Sequence, residues 1–243
     1  MGSVISFMRD PLRDPLEHLR HQRGRCVFCK IEQETRSANG IAGVVSTDRI
    51  IYQNERLLIF PDIRPAARLH LLVVPRVHVA NIRSLNALDS EDIDLVKEME
   101  SLGRAALLSL SAQEGIPLAG VEAHLLNASV DNSDLEHGFL TVHASSNNSS
   151  NALSASIKSS YFLKDLKPVS DRSLDSKLGF KFGYHVPPFR SVDHLHLHCF
   201  LLPHIPWWIR LKYVFQGIWK DAVSLEQELQ GKGRVTNTAS SET

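Results

Sequence analysis

The sequence predicts an α+β domain in which a five-stranded antiparallel sheet packs against one long helix and a C-terminal helix. Five short segments are rich in apolar and β-branched residues, and turn residues or prolines separate them. One longer segment, residues 89–110, instead repeats its apolar residues at helical spacing. The chain has 243 residues and is 43% hydrophobic, which is enough to bury a core.

The strands follow from local patterns along the chain. The predicted strands are residues 49–53, 56–60, 69–74, 179–185 and 193–202. The first two flank a turn at Asn54-Glu55. The third is an almost wholly apolar run that Pro75 ends, which is typical of a buried central strand.

Two helices are predicted, and the longer one has the clearer apolar periodicity. Residues 89–110 place Ile93, Val96, Met99, Leu102 and Ala106 on one helical face. Asp89 or Ser90 can cap the start, and acidic residues occupy the first turn. A shorter helix is predicted around residues 220–229.

Three segments lack the periodicity of the domain. We expect residues 1–24 to form a mobile N-terminal arm and residues 231–243 a disordered polar tail. Residues 111–178 show no sustained period and contain a run of serines and asparagines, so they predict a largely disordered insertion. The domain therefore covers residues 25–230, interrupted by this insertion.

Composition narrows the functional classes. The net charge is zero, which does not favour a specific nucleic-acid partner. No apolar run approaches the roughly 20 residues that span a membrane, and the first residues do not read as a secretory signal. Three cysteines without a secretory signal indicate a reducing compartment, so we expect a cytoplasmic protein, with nuclear or peroxisomal placement left open.

The N-terminus carries a loose acylation pattern. Met1-Gly2-Ser3-Val4-Ile5-Ser6 fits myristoylation of Gly2, and arginines follow in the arm. Such a short pattern arises often by chance, which is the interpretation that we favour.

Three alternating histidines are the most informative feature of the chain. His194, His196 and His198 alternate with leucines, so in an extended strand they share one face. Burying several imidazoles together is unfavourable unless they bind something, and a metal or a phosphate are the candidates. A neutral imidazole is also a good nucleophile near physiological pH. A structural histidine ladder or a metal site without catalysis are the alternatives.

A second motif is the C-x-x-C pair of Cys26 and Cys29. It can be half of a zinc site, a redox pair or two packed thiols. Because there is no second C-x-x-C, a zinc site would need histidines, for which His70, His78 and His194 are candidates.

Two loops could bind a nucleotide. Asp62 lies between Phe60 and Ile63, so a carboxylate that suits a ribose diol stands beside apolar residues that suit a base, although an ordinary turn aspartate is the alternative. Arg190 and Ser191 lead into the histidine strand, where backbone amides, a hydroxyl and a cation could hold phosphate oxygens.

Together these motifs resemble the histidine triad superfamily of nucleotide hydrolases and transferases. Residues 194–200 match its signature His-φ-His-φ-His-φ-φ, in which φ is apolar. Upstream elements of the family are matched by residues 26–31, 60–66 and 70–78. Residues 183–194 are most similar to a plant branch with adenylylsulfatase and adenosine phosphosulfate phosphorylase activity.

The resemblance implies a role for each matched residue. His196 would be the nucleophile, and His198 and Ser191 would contact phosphate. Asp62 would bind the ribose, with Phe60 and Ile63 lining the base pocket, and His70 would support the site from behind. A structural zinc ion would be held by Cys26, Cys29, His78 and His194.

The implied activity is nucleotidyl transfer to His196 and then to water or phosphate, with adenosine 5′-phosphosulfate or adenosine phosphoramidates as substrates. No catalytic metal is needed, and a homodimer with a sheet continued across its interface is expected. The alternatives are a hydrolase of dinucleoside polyphosphates or adenylated DNA ends, and a nucleotide-binding protein without turnover.

Overall fold

The computed structural model describes residues 25–38, residues 49–116 without Leu88, Leu118, and residues 162–239. The predicted arm at 1–24, Gly2 and most of the predicted insertion lie outside these residues. Within them, no helix is long and apolar enough to cross a membrane.

The described residues form six strands and four α-helices. The strands are β1 (Tyr52–Gln53), β2 (Leu57–Pro61), β3 (Ala67–Pro75), β4 (Phe180–His185), β5 (Leu197–His204) and β6 (Trp219–Asp221). The helices are α1 (Val27–Ala38), α2 (Ser90–Gln113), α3 (Ser173–Leu178) and α4 (Ala222–Ala239).

The strands form one antiparallel sheet in the order β1-β2-β3-β5-β4-β6. The α+β class is confirmed, but the sheet has six strands where the sequence predicts five. The extra strand, β6, pairs Trp219 with His185 and Asp221 with Gly183. Three residues are too few to show a period, which is why the sequence does not reveal it.

Helix α2 covers one face of the sheet. Its apolar face meets buried side chains of β3, β4 and β5, and Asp89 caps its start by accepting a hydrogen bond from the Glu91 amide. The approach is closest at Gly103, where a Cβ atom would lie 2.6 Å from the Cys199 sulfur. Glycine thus allows the helix to lie against the back of the strand that carries the histidines.

The opposite face of the sheet carries α1 and the histidines. A second apolar cluster joins α1 to β2 and β3 through Phe28, Phe60 and Leu72. Because side chains alternate along β5, Leu197 and Cys199 face α2 while His198 and Phe200 face the other side.

The structure moves several predicted boundaries. β5 begins at Leu197 rather than at residue 193, so His194 and His196 precede the regular strand. β1 has only two residues, and α4 continues through the predicted tail as far as Ala239.

The described residues 162–178 lie inside the predicted insertion and contact the domain. The Leu163 amide donates to the Ile51 carbonyl at 2.7 Å. The buried Arg104 guanidinium donates to the Asp175 carboxylate at 2.6 and 2.8 Å. Leu163, Leu166 and Leu178 of this segment also lie in the main apolar core, but their uneven spacing shows neither a helical nor a strand period in the sequence.

Candidate active site

A cleft of about 460 Å³ opens between α1, the end of β2 and the histidine segment. Side chains from five separate segments of the chain line this cleft. The lining comprises Val27, Phe28, Ile31, Glu34, Thr35, Arg49, Ile50, Phe60, Pro61, Asp62, Ile63, Leu72, Ser191, Val192, His196 and His198. The lining is mainly apolar with a few polar groups, as ligand sites commonly are.

His196 lies at the wall of this cleft with its ring orientation set by the backbone. Its Nδ1 lies 2.6 Å from the His194 carbonyl oxygen, an acceptor, so Nδ1 carries the proton and donates. Nε2 then holds the lone pair. Burial lowers the pKa of His196, which favours this neutral form.

A hydrogen-bond chain fixes the tautomer of His198. The Ala66 amide donates to His70 Nδ1 at 3.2 Å, so the His70 proton is on Nε2. His70 Nε2 donates in turn to His198 Nδ1 at 2.8 Å. The His198 proton is therefore on Nε2, a buried donor with no hydrogen-bond partner among the described residues. Burial holds the pKa of both rings well below the usual value, so they are neutral.

Asp62 lies beside this chain. Its Oδ1 accepts from the Arg64 amide at 2.7 Å, and its Oδ2 lies 3.5 Å from His70 Nε2. Burial raises the pKa of the Asp62 carboxyl. Asp62, His70 and His198 also form a group that could hold a metal. The proton on His70 Nε2 argues against that role, because this nitrogen would have to be the ligand.

The apolar walls of the cleft come from β2 and α1. Phe60 packs on Phe28 with ring centroids 5.6 Å apart, and Phe28 packs on His196 at 5.3 Å. Val27, Ile31 and Thr35 of α1 line the same cleft. The sequence analysis missed this helix, although the spacing of these three residues by four places them on one helical face.

The remaining predicted nucleotide contacts divide into two groups. Ser191 and Ile63 line the cleft, and both are exposed. Arg190 is not part of that lining, because its guanidinium pairs with Asp193 at 2.6 Å.

His185 is a second residue that the sequence analysis missed. Its ring lies 4.8 Å from that of His198, because Gly183 of β4 pairs with His198 in the sheet. Its Nδ1–H donates to the Ile218 carbonyl at 3.3 Å, and burial lowers its pKa to about 4. A single histidine at the end of a strand carries no signal that relates it to the triad.

The two cysteines of the C-x-x-C pair lie close to two histidines. Cys26 Sγ lies 3.3 Å from His194 Nδ1, and Cys29 Sγ lies 3.2 Å from His78 Nδ1. The four ligand atoms lie within 4.8 Å of one another. His194 Nε2–H donates to the Pro75 carbonyl at 2.8 Å, which leaves Nδ1 free of its proton toward the thiols.

This donor set fits zinc. Zn–S distances of about 2.3 Å and Zn–N distances of about 2.0–2.1 Å place tetrahedral ligand atoms roughly 3.3–3.8 Å apart, close to the observed separations. Of the three histidines that the sequence offered as partners for the C-x-x-C pair, His78 and His194 reach it, and His70 lies in the chain to His198.

Comparison with known proteins agrees with this architecture. Residues 25–122 match the family described as "Scavenger mRNA decapping enzyme C-term binding". Together with the three histidines, this match makes the chain similar to the histidine triad superfamily.

Three individual proteins to which the chain is similar share less than 30% of its sequence over the matched lengths. The chain is 28% identical to the bifunctional adenosine 5′-phosphosulfate phosphorylase/adenylylsulfatase HINT4 of Arabidopsis thaliana, over 79% of this chain and 80% of that protein. It is 25% identical to the adenosine 5′-monophosphoramidase HINT3 of Mus musculus, over 71% of this chain and 61% of that longer protein. A solved histidine triad protein from Clostridium difficile is 17% identical, with a TM-score of 0.38, and the match covers 75% of this chain and 94% of that one.

Proposed function

We propose that this protein is a nucleotidyl hydrolase or transferase that cleaves AMP–X substrates through a nucleotidyl-histidine intermediate on His196. X is sulfate in adenosine 5′-phosphosulfate or an amine in adenosine phosphoramidates. The observation that carries the proposal is the position of His196 at the cleft wall, with Nδ1–H bonded to a backbone carbonyl at 2.6 Å and Nε2 left with its lone pair.

In the first step, His196 Nε2 attacks the α-phosphorus. A phosphorus–nitrogen bond forms, the bond from phosphorus to X breaks, and X leaves with the electron pair. Sulfate leaves as its anion, whereas an amine takes up a proton from solvent as it leaves. The imidazole gains positive charge as the bond forms, and the His194 carbonyl stabilises that charge by accepting from Nδ1–H.

In the second step, water or inorganic phosphate attacks the same phosphorus. The phosphorus–nitrogen bond breaks, AMP or ADP leaves, and His196 returns to its neutral form. The attacking water gives up a proton, which passes to solvent or to the released group. Both steps use one nucleophile, so the choice between hydrolase and phosphorylase depends on which acceptor enters.

Donors of the chain itself would neutralise charge on the transferred phosphate. His198 Nε2–H is a buried donor in the cleft lining, and the chain through His70 aims it without a cation. Ser191 adds a hydroxyl at the same cleft. These groups support a reaction that requires no catalytic metal.

The nucleoside would occupy the apolar part of the cleft. Phe28 and Phe60 offer ring faces for the adenine base, with Ile63 at the rim. Asp62 would accept hydrogen bonds from the ribose hydroxyls through Oδ2, since Oδ1 already accepts from the Arg64 amide.

Cys26, Cys29, His78 and His194 would hold a structural zinc ion. When bound, zinc would join α1 to the loop after β3 and to the segment before β5. This connection would hold the His194 carbonyl that orients His196. The homodimer implied by the family resemblance remains a prediction, and β1 and β6 are the sheet edges available to continue the sheet.

The test is AMP release from adenosine 5′-phosphosulfate and from adenosine 5′-monophosphoramidate. We expect turnover by the wild type and loss of at least about 10³-fold in His196→Ala, since the nucleophile is removed. His204→Gln is the control, because His204 is a buried histidine of the same sheet outside the cleft lining.

Trapping separates the remaining outcomes. Acid-quenched wild type incubated with radiolabelled substrate should retain label on protein, and His196→Ala should not. Tight AMP binding without turnover of either substrate would instead support a binding protein. Formation of ADP when phosphate is added would identify phosphorylase activity.

A further inference from the structure

The segment between β5 and β6 carries an exposed apolar surface that the proposed reaction does not use. Residues Trp207–Tyr213 form a 3₁₀ helix, in which side chains three apart share a face. Trp208 and Leu211 therefore lie in one row, and they are 59% and 70% exposed. Val214, directly after the helix, is 55% exposed.

Two more aromatic side chains widen this row. Trp207 is 76% exposed and contacts Trp208, and Phe215 is 67% exposed. We call these five residues, Trp207, Trp208, Leu211, Val214 and Phe215, the aromatic surface. Single exposed apolar residues are common, but five within nine positions indicate an interaction site.

The aromatic surface is firmly attached to the domain. Tyr213, in the same 3₁₀ helix, is buried, and its ring packs on Phe200 at 4.7 Å and on Trp219 at 5.3 Å. The Lys181 ammonium also donates to the Tyr213 carbonyl at 2.6 Å. The apolar side chains are therefore presented by an anchored turn of helix.

Within the segment that carries the aromatic surface, both charged side chains are cations, and Asp62 is the carboxylate that interacts electrostatically with Lys212. Arg210 and Lys212 are exposed between its apolar residues, and residues 194–220 contain no Asp or Glu. Neither cation forms an ion pair within the part of the chain that the structure describes. A complementary partner is therefore apolar and negatively charged.

We propose that the aromatic surface binds the surface of an anionic lipid membrane. Tryptophan side chains favour the headgroup region, apolar neighbours enter the acyl boundary, and Arg or Lys pairs with anionic headgroups. A second copy of this chain fits less well. A two-fold contact would oppose the same surface on both copies and bring Arg210 and Lys212 close to their equivalents.

The test is sedimentation of the full chain with vesicles, using protein made in bacteria so that Gly2 carries no acyl group. We expect binding to phosphatidylcholine vesicles that contain phosphatidylserine, and much weaker binding to phosphatidylcholine alone. Arg210→Gln with Lys212→Gln should weaken binding roughly fivefold for each charge removed. Trp208→Ser with Leu211→Ser should weaken it at least about tenfold.

Matched controls keep the result specific. Phe162→Ser removes another exposed aromatic residue and Lys97→Gln another exposed cation, and both should leave vesicle binding unchanged. Turnover of AMP–X substrates should be unchanged in the variant that replaces Trp208 and Leu211 and in both controls, so vesicle binding by these variants tests the membrane proposal independently of the catalytic one. The Lys212 substitution is compared by vesicle binding alone, because Lys212 acts electrostatically on Asp62.

Three results would overturn the proposal. They are equal binding to neutral and anionic vesicles, no binding to either, and binding that the Trp208 and Leu211 substitutions leave intact. If those substitutions instead abolish a concentration-dependent dimer in analytical ultracentrifugation, the surface belongs to a second copy. Binding to an acidic protein but not to vesicles would show that the aromatic surface is a protein-binding site.

Discussion

Gly103→Ala tests how the main helix positions the histidine strand. An alanine Cβ at this position would lie 2.6 Å from Cys199 Sγ and 3.3 Å from a methyl group of Val73. Ordinary contact between carbon and sulfur is about 1 Å longer than the first distance, so the helix or the strand must move.

The expected magnitude combines two opposing effects. Overpacking a core costs about 1–3 kcal/mol, whereas replacing glycine by alanine inside a helix contributes about 0.8–1 kcal/mol of stability. The free energy of unfolding should therefore fall by about 0–2 kcal/mol. In a Cys199→Ala background the sulfur is absent, so the same substitution should stabilise the protein by about 1 kcal/mol.

The assay is a double-mutant cycle by urea denaturation, with AMP release as a second readout. Gly231→Ala is the control, because Gly231 lies in α4 with no atom near its Cβ position, and it should stabilise by about 0.8–1 kcal/mol. Because Cys199 follows His198 directly, turnover should fall in Gly103→Ala and recover in the double variant. A coupling energy below about 0.5 kcal/mol would refute the reasoning.

Three further predictions concern the metal site, acid stability and the buried ion pairs. Cys29→Ser should reduce bound zinc, measured by elemental analysis, from about one ion per chain, and should lower the melting temperature more than turnover; equal stability of zinc-free wild type would contradict this. The pKa of His185 is about 4 in the folded protein and about 6.5 in the unfolded chain. As the pH decreases from 6.5 toward 4, the unfolded chain therefore takes up the proton first, and the free energy of unfolding decreases by up to roughly 1.4 kcal/mol per pH unit. His185→Asn should make this loss shallower in denaturation series at each pH, and an identical slope would show that His185 is not buried in its neutral form. Asp175→Asn leaves the buried Arg104 cation with Glu100 as its remaining carboxylate partner, which Arg172 shares, and should cost about 2–3 kcal/mol in urea denaturation, against less than about 0.5 for the exposed Asp94→Asn; equal effects would refute it.

Parts of the site were predictable because their signals are local. The alternation of His194, His196 and His198 already placed them together, and the loop around Asp62 stood out by its chemistry. The long helix was equally clear, because its apolar residues repeat over several turns. By contrast, the sequence did not reveal α1 or β6. β6 has only three residues, and the side of α1 that lines the cleft shows only in the spacing of Val27, Ile31 and Thr35.

The sequence by itself determined the fold class, the triad and the set of residues from which a zinc site could be built, because periodicity and residue chemistry are readable within a few positions. Only the tertiary structure decided which partners they meet. It directed Arg190 to Asp193, placed His185 against His198, and set the proton of His198 through Ala66 and His70. These outcomes depend on strand register and on hydrogen bonds between distant segments. Neither can be inferred from the residue types within a short stretch of sequence.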